Sequence, residues 1–316
     1  MPKFLKYFKK QGGMQLLSQY LKLGILPYAM GVAPFFIGDR VKLEIFRNAM
    51  QHKTYEKLRK KFFVTEIDEE DRLLDGNLVD SSNIWFFWLQ GVESAPRLVK
   101  NNLALLKKNA VNFNVVVLDL ETVQQYVDIP EFILEKYDKG IISNTHLSDI
   151  IRLLLLETHG GMWIDSTVAV SDSDFLDKIS NERFFVPMTL KPGKDGKGLF
   201  VSNWLISAQA HDEVTKFVLF ALEKYWQEHD ELLDYFIFHY FLQMAFEKYP
   251  QHFKEMPKVD NSQPHALLID VLDGETSIEL LYRQSSYSSI HKLSNKVSNS
   301  ELAIMLKLQE KLLNDK

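Results

Sequence analysis

The stretch that decides the fold is HLSDIIRLLLLETHGGMWIDSTVAV, residues 146–170. Its first half carries apolar residues at helical spacing, and Gly160 with Gly161 ends that helix. The pieces MWID and TVAV then predict two short strands on either side of the junction between Asp165 and Ser166. We therefore expect a helix that leads directly into a buried strand. A carboxylate stands at the strand's end, where an ionised side chain is costly unless a cation or hydrogen bonds compensate it.

The segments before this stretch alternate between the two periodicities. NIWFFWLQG (83–91) and FNVVVLD (113–119) are typical of buried strands, whereas RLVKNNLALLKKN (97–109) and PEFILEKY (130–137) are typical of helices. Strand and helix in alternation predict a parallel sheet with helices on its faces. We expect a single α/β domain built on a Rossmann-like mixed sheet flanked by helices.

The chain also carries helical segments before and after this sheet. A charged helical stretch ends in the polar run DGNLVDSSN (75–83), which is typical of a boundary. ELAIMLKLQEKLLN (301–314) is amphipathic. We expect a basic helical N-terminal extension over 1–78, the sheet-containing catalytic domain over 79–296 and a C-terminal helix over 297–316.

Composition excludes several classes of protein. The chain has no cysteine, so neither disulfides nor thiolate chemistry can operate, which is consistent with a cytoplasmic location. Its formal net charge of −5 argues against nucleic acid as the main partner. The most apolar run, residues 23–38, is too short for a transmembrane helix and is interrupted by Pro27 and Pro34.

The N-terminal segment has a different charge from the rest. Residues 1–38 hold five lysines and no acidic residue, interleaved with aromatic side chains. This pattern favours a segment that lies on an anionic bilayer surface. A helical cap that packs on the main domain and happens to be basic is the alternative.

Asp165 is the first candidate for chemistry. Ligands of open α/β sheets bind at the carboxyl ends of the strands, and a carboxylate there can hold a divalent cation that neutralises a nucleotide diphosphate. The alternative is a turn that Asp165 caps with Ser166 and Thr167. An aspartyl-nucleophile phosphatase would need a second carboxylate two residues on, where Thr167 stands.

Several fragments together resemble the capsular polysaccharide synthesis glycosyltransferases, relatives of sugar transferases that carry a DxD motif after SD..R and GG. The fragments are HLSDIIRLLLLETHGGMWIDSTV, NIWFFWLQG, SNWLISA (202–208), DYFIFHYF (234–241) and HKLS (291–294). The resemblance spans roughly residues 80–296. It implies a glycosyltransferase-A type fold and a hexosyltransferase that moves a sugar, from a UDP-sugar by preference, with retention. The acceptor would be a growing capsular or lipid-linked glycan at the inner face of a bacterial membrane.

The same resemblance implies a metal site. The two DxD positions match Asp165 and Thr167, so one carboxylate is missing. A Mn²⁺ or Mg²⁺ ion would then depend on Asp165, on the diphosphate and on His291, while Lys292 would contact the diphosphate as a point charge. The alternative for His291 and Lys292 is a solvated loop.

Other donor-site residues are implied along the same motifs. Asp149 and Arg152 match SD..R, in which the Asp contacts the donor and the Arg supports the site. Their spacing places them on one helix face, and a surface ion pair of little energetic value is the alternative. Gln90 and Gly91 follow the first strand and are expected beside the donor.

On the acceptor side we expect Asp234, and after it His239, to orient or deprotonate the acceptor hydroxyl. A histidine among aromatic residues is otherwise a hydrogen-bonded core residue. Because the second DxD carboxylate is absent, a catalytically inactive scaffold in a capsule-assembly complex is the alternative to an enzyme.

Overall fold

The computed structural model describes residues 13–36, 38–63, 82–191 and 198–315. The four lysines before residue 12 and the expected boundary at residue 78 lie outside these ranges. The proposed division at 78 and 296 therefore stays a prediction.

The helices of the described residues surround one sheet and continue on both sides of it in the chain. They are α1 (Gly13–Lys22), α2 (Leu26–Phe36), α3 (Arg40–Phe62), α4 (Arg97–Asn109), α5 (Glu131–Asp138), α6 (Asn144–His159), α7 (Asp174–Ile179), α8 (Glu213–Glu228), α9 (Ile237–Lys248), α10 (Pro250–Glu255), α11 (Ala266–Leu272), α12 (Ile278–Ser285) and α13 (Asn299–Asn314). Short 3₁₀ turns lie at Val92–Ser94, Thr122–Gln125 and Gln263–His265.

The strands form a mixed sheet and a separate ribbon. They are β1 (Asn83–Phe87), β2 (Asn114–Leu118), β3 (Gly161–Ile164), β4 (Val168–Val170), β5 (Phe184–Phe185), β6 (Leu205–Ala208) and β7 (Ile290–Lys292). The five-stranded sheet has the order β2-β1-β3-β6-β5, and β4 pairs with β7. The strands β2, β1 and β3 are parallel, β6 runs in the opposite direction, and β5, antiparallel to β6, runs in the direction of the first three. The expected mixed α/β sheet flanked by helices is confirmed.

The decisive stretch folds as the sequence predicts. In α6 nearly every side chain from His146 to Leu156 is buried, because the helix packs on β1, β3 and β6 and on α8. Gly160 ends the helix with φ 64°, and a Cβ atom there would lie 2.6 Å from the Ala210 nitrogen. Only glycine allows this close approach. The Gly160 carbonyl also accepts a 2.8 Å hydrogen bond from Trp85 Nε1, so this tryptophan is a core residue that ties β1 to the end of α6.

A second, smaller core anchors the ribbon. The last helix α13 begins with a capping box of Ser298 and Glu301 and packs on α4, and the core between them also includes Ala169 of β4. The C-terminal helix is thus confirmed. It holds one strand of the ribbon and, through the ribbon, the residues of β7.

The N-terminal helices differ in how far they pack on the rest of the chain. Helix α3 packs on α9, where Tyr55 and Arg59 both bond the Glu247 carboxylate, as a cap on the main domain would. Helix α2 buries only Ala29 and leaves Met30 and Phe35 exposed. Within the described residues no helix has both the length and the apolar character that crossing a bilayer requires.

Candidate functional site

One edge of the sheet collects the polar residues that the sequence singled out. The carboxyl ends of β1, β2 and β3 meet there with the first residue of the antiparallel β6. Gly91, Asp119 and Asp165 follow these strands, and Asn203 lies just before β6. Helix α6 runs back into β3, so its first half, with Asp149 and Arg152, lies at the same edge.

The Asp165 carboxylate is compensated by two cations. Its Oδ1 accepts hydrogen bonds from Trp163 Nε1 at 3.0 Å and Arg152 Nη2 at 3.3 Å, and its Oδ2 accepts one from Lys292 Nζ at 2.9 Å. Burial alone would raise the pKa of Asp165, but Lys292 and Arg152 outweigh it and hold the pKa below its ordinary value. The following turn is closed by the backbone, since the Val168 N–H bonds the Asp165 carbonyl at 2.9 Å.

Arg152 links this carboxylate to a second one. Asp149 and Arg152 are each only 4% exposed, so they are not a surface ion pair. Arg152 Nη2 lies 3.3 Å from Asp149 Oδ1, and Asn203 Nδ2 donates to the same oxygen at 3.1 Å. The guanidinium also donates to the Asn203 carbonyl and lies 4.8 Å from the Trp163 ring. Burial raises the pKa of Asp149 to about 7, an effect that Arg152 opposes and Asp165 reinforces.

The ribbon brings Lys292 to the site and turns His291 away. Lys292 pairs with Val168 and His291 with Ala169, and successive strand residues point to opposite faces. Lys292 Nζ bonds both Asp165 and the Thr167 hydroxyl, the latter at 2.5 Å. His291 Nε2 instead lies 3.1 Å from Ser171 Oγ, and burial lowers the pKa of His291 to about 4. The structure does not bring His291 and Asp165 together.

These residues do not fit a resident Mn²⁺ or Mg²⁺ ion. Such ions prefer several carboxylate or carbonyl oxygens. Across residues 13–36, 38–63, 82–191 and 198–315, no three His, Cys, Asp or Glu side chains form a group suited to a metal. The carboxylates of Asp149 and Asp165 already face cations, and the hydroxyl at the second DxD position, Thr167, bonds Lys292.

The structure places the two acceptor-side candidates, Asp234 and His239, in different surroundings. Asp234 accepts bonds from the N–H of Phe236, the residue before α9, at 2.8 Å and from the hydroxyl of Tyr240 on α9 at 3.3 Å. Its charge raises the pKa of Tyr20, which places it near the N-terminal helices, and burial raises its own pKa to about 6.

His239 lies within the electrostatic field of the site. Burial lowers its pKa to about 3, Arg152 and His146 act in the same direction, and Asp165 opposes them. Its Nδ1 atom is buried without a hydrogen-bond partner among the described residues. His239 is therefore a neutral imidazole beside the Arg152 network.

Sequence reasoning missed two residues at this edge. The Tyr235 side chain is largely exposed. Its pKa is raised, first by the burial of part of the residue and then by the charges of Asp149 and Asp165. Asp119 follows β2 just as Asp165 follows β3, which is the signal that could have identified it. The Asp119 Oδ1 accepts bonds from Thr122 and Glu121, and its Oδ2 lies 3.6 Å from where a Cβ on Gly91 would stand. Gln90 is exposed beside Gly91.

Comparison with known proteins gives a family match and partial relatives. The family model described as "Capsular polysaccharide synthesis protein" matches residues 38–311. Glycosyltransferase afumC of Aspergillus fumigatus is 30% identical over 95 residues, which cover 27% of this chain and 24% of that protein. O-glycosyltransferase braB of Annulohypoxylon truncatum is 30% identical over 98 residues, which cover 28% of this chain and 23% of that protein.

Among solved structures, the PaToxG glycosyltransferase matches 84% of this chain and 97% of its own chain, with a TM-score of 0.37 and 14% identity.

Proposed function

The chain belongs to the capsular polysaccharide synthesis protein family, and we propose that it is a glycosyltransferase. The reaction we propose moves a hexose from a nucleotide-diphosphate donor, a UDP-sugar by preference, to a growing surface or capsular polysaccharide. The observation that carries the proposal is the convergence of Arg152 and Lys292 on Asp165 at the carboxyl edge of the sheet. The two curated relatives, both named as glycosyltransferases, support it over the stretches that they share with this chain.

The chemistry of the donor explains why this arrangement suits it. Breaking the sugar–phosphate bond leaves the electron pair, and with it negative charge, on the nucleoside diphosphate. Cationic and hydrogen-bonding side chains that the protein holds in place before the reaction stabilise such developing charge most effectively. Arg152 is held by Asp149, Asn203 and the Trp163 ring, and Lys292 is held by the ribbon. Neither cation needs to be ordered when the donor binds.

The acceptor hydroxyl forms the new bond to the anomeric carbon as the diphosphate leaves. We propose retention because the family resemblance implies it. On the same face of the sugar, the departing phosphate oxygen stands beside the incoming hydroxyl and can take its proton. His239, neutral beside the Arg152 network, would accept a hydrogen bond from the acceptor and orient it.

A catalytically inactive scaffold is the second candidate function. It is favoured by Thr167, which replaces the second carboxylate of the DxD pattern. A scaffold could keep nucleotide binding while losing sugar transfer, so binding and turnover must be measured separately.

The first experiment is a thermal-shift panel of UDP, GDP, CDP and ADP, each with and without Mn²⁺, followed by release of nucleoside diphosphate from the matching sugar donor. A ligand that binds the folded state raises its stability by mass action. We expect one nucleotide to raise the melting temperature in the wild type and in Asp128→Asn, an exposed control, but not in Asp165→Asn. Binding without turnover on any glycan acceptor would support the scaffold. No binding by any nucleotide would contradict the transferase.

We further propose that the protein acts on lipid-linked glycans at the anionic inner face of the bacterial membrane. Residues 13–63 carry nine lysines and arginines against three acidic residues, although the whole chain has a net charge of −5. On α2, Phe35 is 75% exposed and Met30 68% exposed. Exposed apolar side chains beside a basic surface are suited to the boundary between lipid headgroups and acyl chains.

Vesicle co-sedimentation tests this location. We expect binding to vesicles with anionic lipid at low salt, weaker binding to neutral vesicles, and a loss of at least tenfold in Met30→Ser/Phe35→Ser. Val111, which is 74% exposed outside the N-terminal helices, supplies the control Val111→Ser. If the double variant and the control bind anionic vesicles equally, α2 is not the contact.

A further inference from the structure

The cations at the sheet edge stand where the family resemblance would place a metal ion. We propose that this chain binds the donor diphosphate without a divalent cation, through the Lys292 ammonium and the Arg152 guanidinium. The inference rests on the proposed function, because it concerns how that donor site holds its ligand. It follows from the chemistry of the donor atoms present at the site.

The first step of the argument concerns the oxygens of Asp165. Oδ1 is within hydrogen-bond distance of Trp163 and Arg152, and Oδ2 is within that distance of Lys292. A divalent ion that bound either oxygen would displace a cation or lie beside two others. Like charges at such distances repel strongly where water is largely excluded.

The second step concerns the other donors that a metal would need. Asp149 is buried, and its Oδ1 already accepts a hydrogen bond from Asn203 Nδ2 and forms an ion pair with Arg152. The Thr167 hydroxyl bonds Lys292, and His291 points to the opposite face of the ribbon. Among the described residues, no three His, Cys, Asp or Glu side chains at the sheet edge form a group of ligands that would hold Mn²⁺ or Mg²⁺.

The third step concerns which N–H donors of the Lys292 ammonium group are available to a ligand. An ammonium group has three donors and no acceptor. Two of the three are accounted for by Asp165 Oδ2 and Thr167 Oγ1, so one is left for a phosphate oxygen. The pairing of β7 with β4 and the core that includes Ala169 and Leu293 hold the backbone that carries Lys292, so its charge is held at the site as a bound ion would be.

The test compares binding of the nucleoside diphosphate found in the thermal-shift panel in excess EDTA and in 1 mM Mn²⁺, by calorimetry. We expect dissociation constants within about threefold of each other, and no heat from Mn²⁺ alone. Lys292→Met should weaken binding at least tenfold in EDTA, and Lys292→Arg, which keeps a cation, should recover part of it. Lys296→Met alters an exposed lysine four residues on and should bind like the wild type.

Three outcomes separate this inference from the function beneath it. Binding that needs Mn²⁺ would overturn the inference and leave the transferase in place. Binding by Lys292→Met equal to the wild type would overturn the role of Lys292, provided that its melting temperature shows a folded protein. If no nucleotide binds with or without Mn²⁺, the proposed function fails as well, and the inference fails with it.

Discussion

The carboxylates of Asp212 and Asp165 both form ion pairs with basic side chains, but the two pairs have different roles. Asp212 begins α8, where its Oδ1 accepts the Val214 N–H at 2.9 Å. Its Oδ2 accepts bonds from Arg183 and His252, both at 3.0 Å. The Asp212 side chain is 0% exposed, whereas that of Asp165 is 27% exposed.

The difference lies in what the carboxylate holds. Asp212 holds a backbone donor at a helix start and joins α10 to it through the buried His252, so these two partners cannot leave without local unfolding. Asp165 accepts its hydrogen bonds, as far as the described residues show, from side chains alone, and it does so at an open sheet edge. An incoming anion can compete for those side chains. Charge pairs of the first kind stabilise the fold, and pairs of the second kind are poised to bind a ligand.

The largest expected effect breaks the site and spares the fold. Asp165→Asn should lower kcat/KM for sugar transfer about 10³-fold, which is about 4 kcal/mol, because the charge that positions Lys292 and Arg152 is lost. The melting temperature should stay close to that of the wild type. Initial rates with thermal unfolding measure both, and activity within threefold of the wild type would remove Asp165 from the site.

The next effect breaks the fold and spares the site. Asp212→Ala should lower the free energy of unfolding by about 3 kcal/mol, since it removes a helix cap and leaves a buried histidine unpaired. Activity per folded molecule should not change. Urea unfolding measures the loss, and Ser277→Ala, which removes the cap of α12 without an ion pair, should cost only about 1 kcal/mol. Equal losses in the two variants would refute the contribution of the buried pair.

A third prediction uses pH to separate the two faces of the ribbon. Burial lowers the pKa of His291 from 6.5 to about 4. Between these two pH values His291 is therefore mainly protonated in the unfolded chain and mainly neutral in the folded chain. Acid therefore destabilises the wild type through His291, and His291→Asn lacks that loss. The free energies of unfolding of the two proteins should converge by about 1 kcal/mol between pH 7 and pH 5.5. A pH-independent difference would contradict the assignment, and nucleotide binding should be the same in both proteins.

The smallest expected effect concerns the other predicted catalytic carboxylate. Asp234→Asn should leave transfer within about twofold, because Asp234 bonds the Phe236 N–H and the Tyr240 hydroxyl and lies near Tyr20 of the N-terminal helices. Burial raises the pKa of Asp234 to about 6, so at pH 8 the neutral amide should match or slightly exceed the wild type in stability. A tenfold loss of activity in Asp234→Asn, with His239→Asn unaffected, would support Asp234 rather than His239 as the residue that contacts the acceptor, as the sequence predicts.

The sequence predicted those parts of the site that depend on local pattern. The periodicity of residues 147–155 and the double glycine predicted α6 and β3, and strand ends predicted the edge where Asp165 lies. Asp149 and Arg152 follow from helical spacing alone. Lys292 was reached only through the family resemblance, because no local pattern connects it to Asp165.

The parts that pattern could not predict depend on pairing over long distances. The segment IHK forms a strand only because β4 pairs with it, and the register of that pair decides that Lys292 rather than His291 faces Asp165. A shift of one residue would exchange them. The surroundings of Asp234 and His239 likewise depend on how the chain enters α9, since the first bonds the residue before the helix and the second lies within it.

The position of Lys292 also sets an order in time. It stands 127 residues after Asp165 in the chain. At the usual rate of synthesis the ribosome needs about 6 to 25 seconds to make that interval. Until β7 has emerged and paired with β4, a nascent chain that has already folded its sheet holds only one of the two cations. Such a chain should bind the proposed donor at least tenfold more weakly than the complete protein, as Lys292→Met should, so the site is complete only after the ribbon has closed.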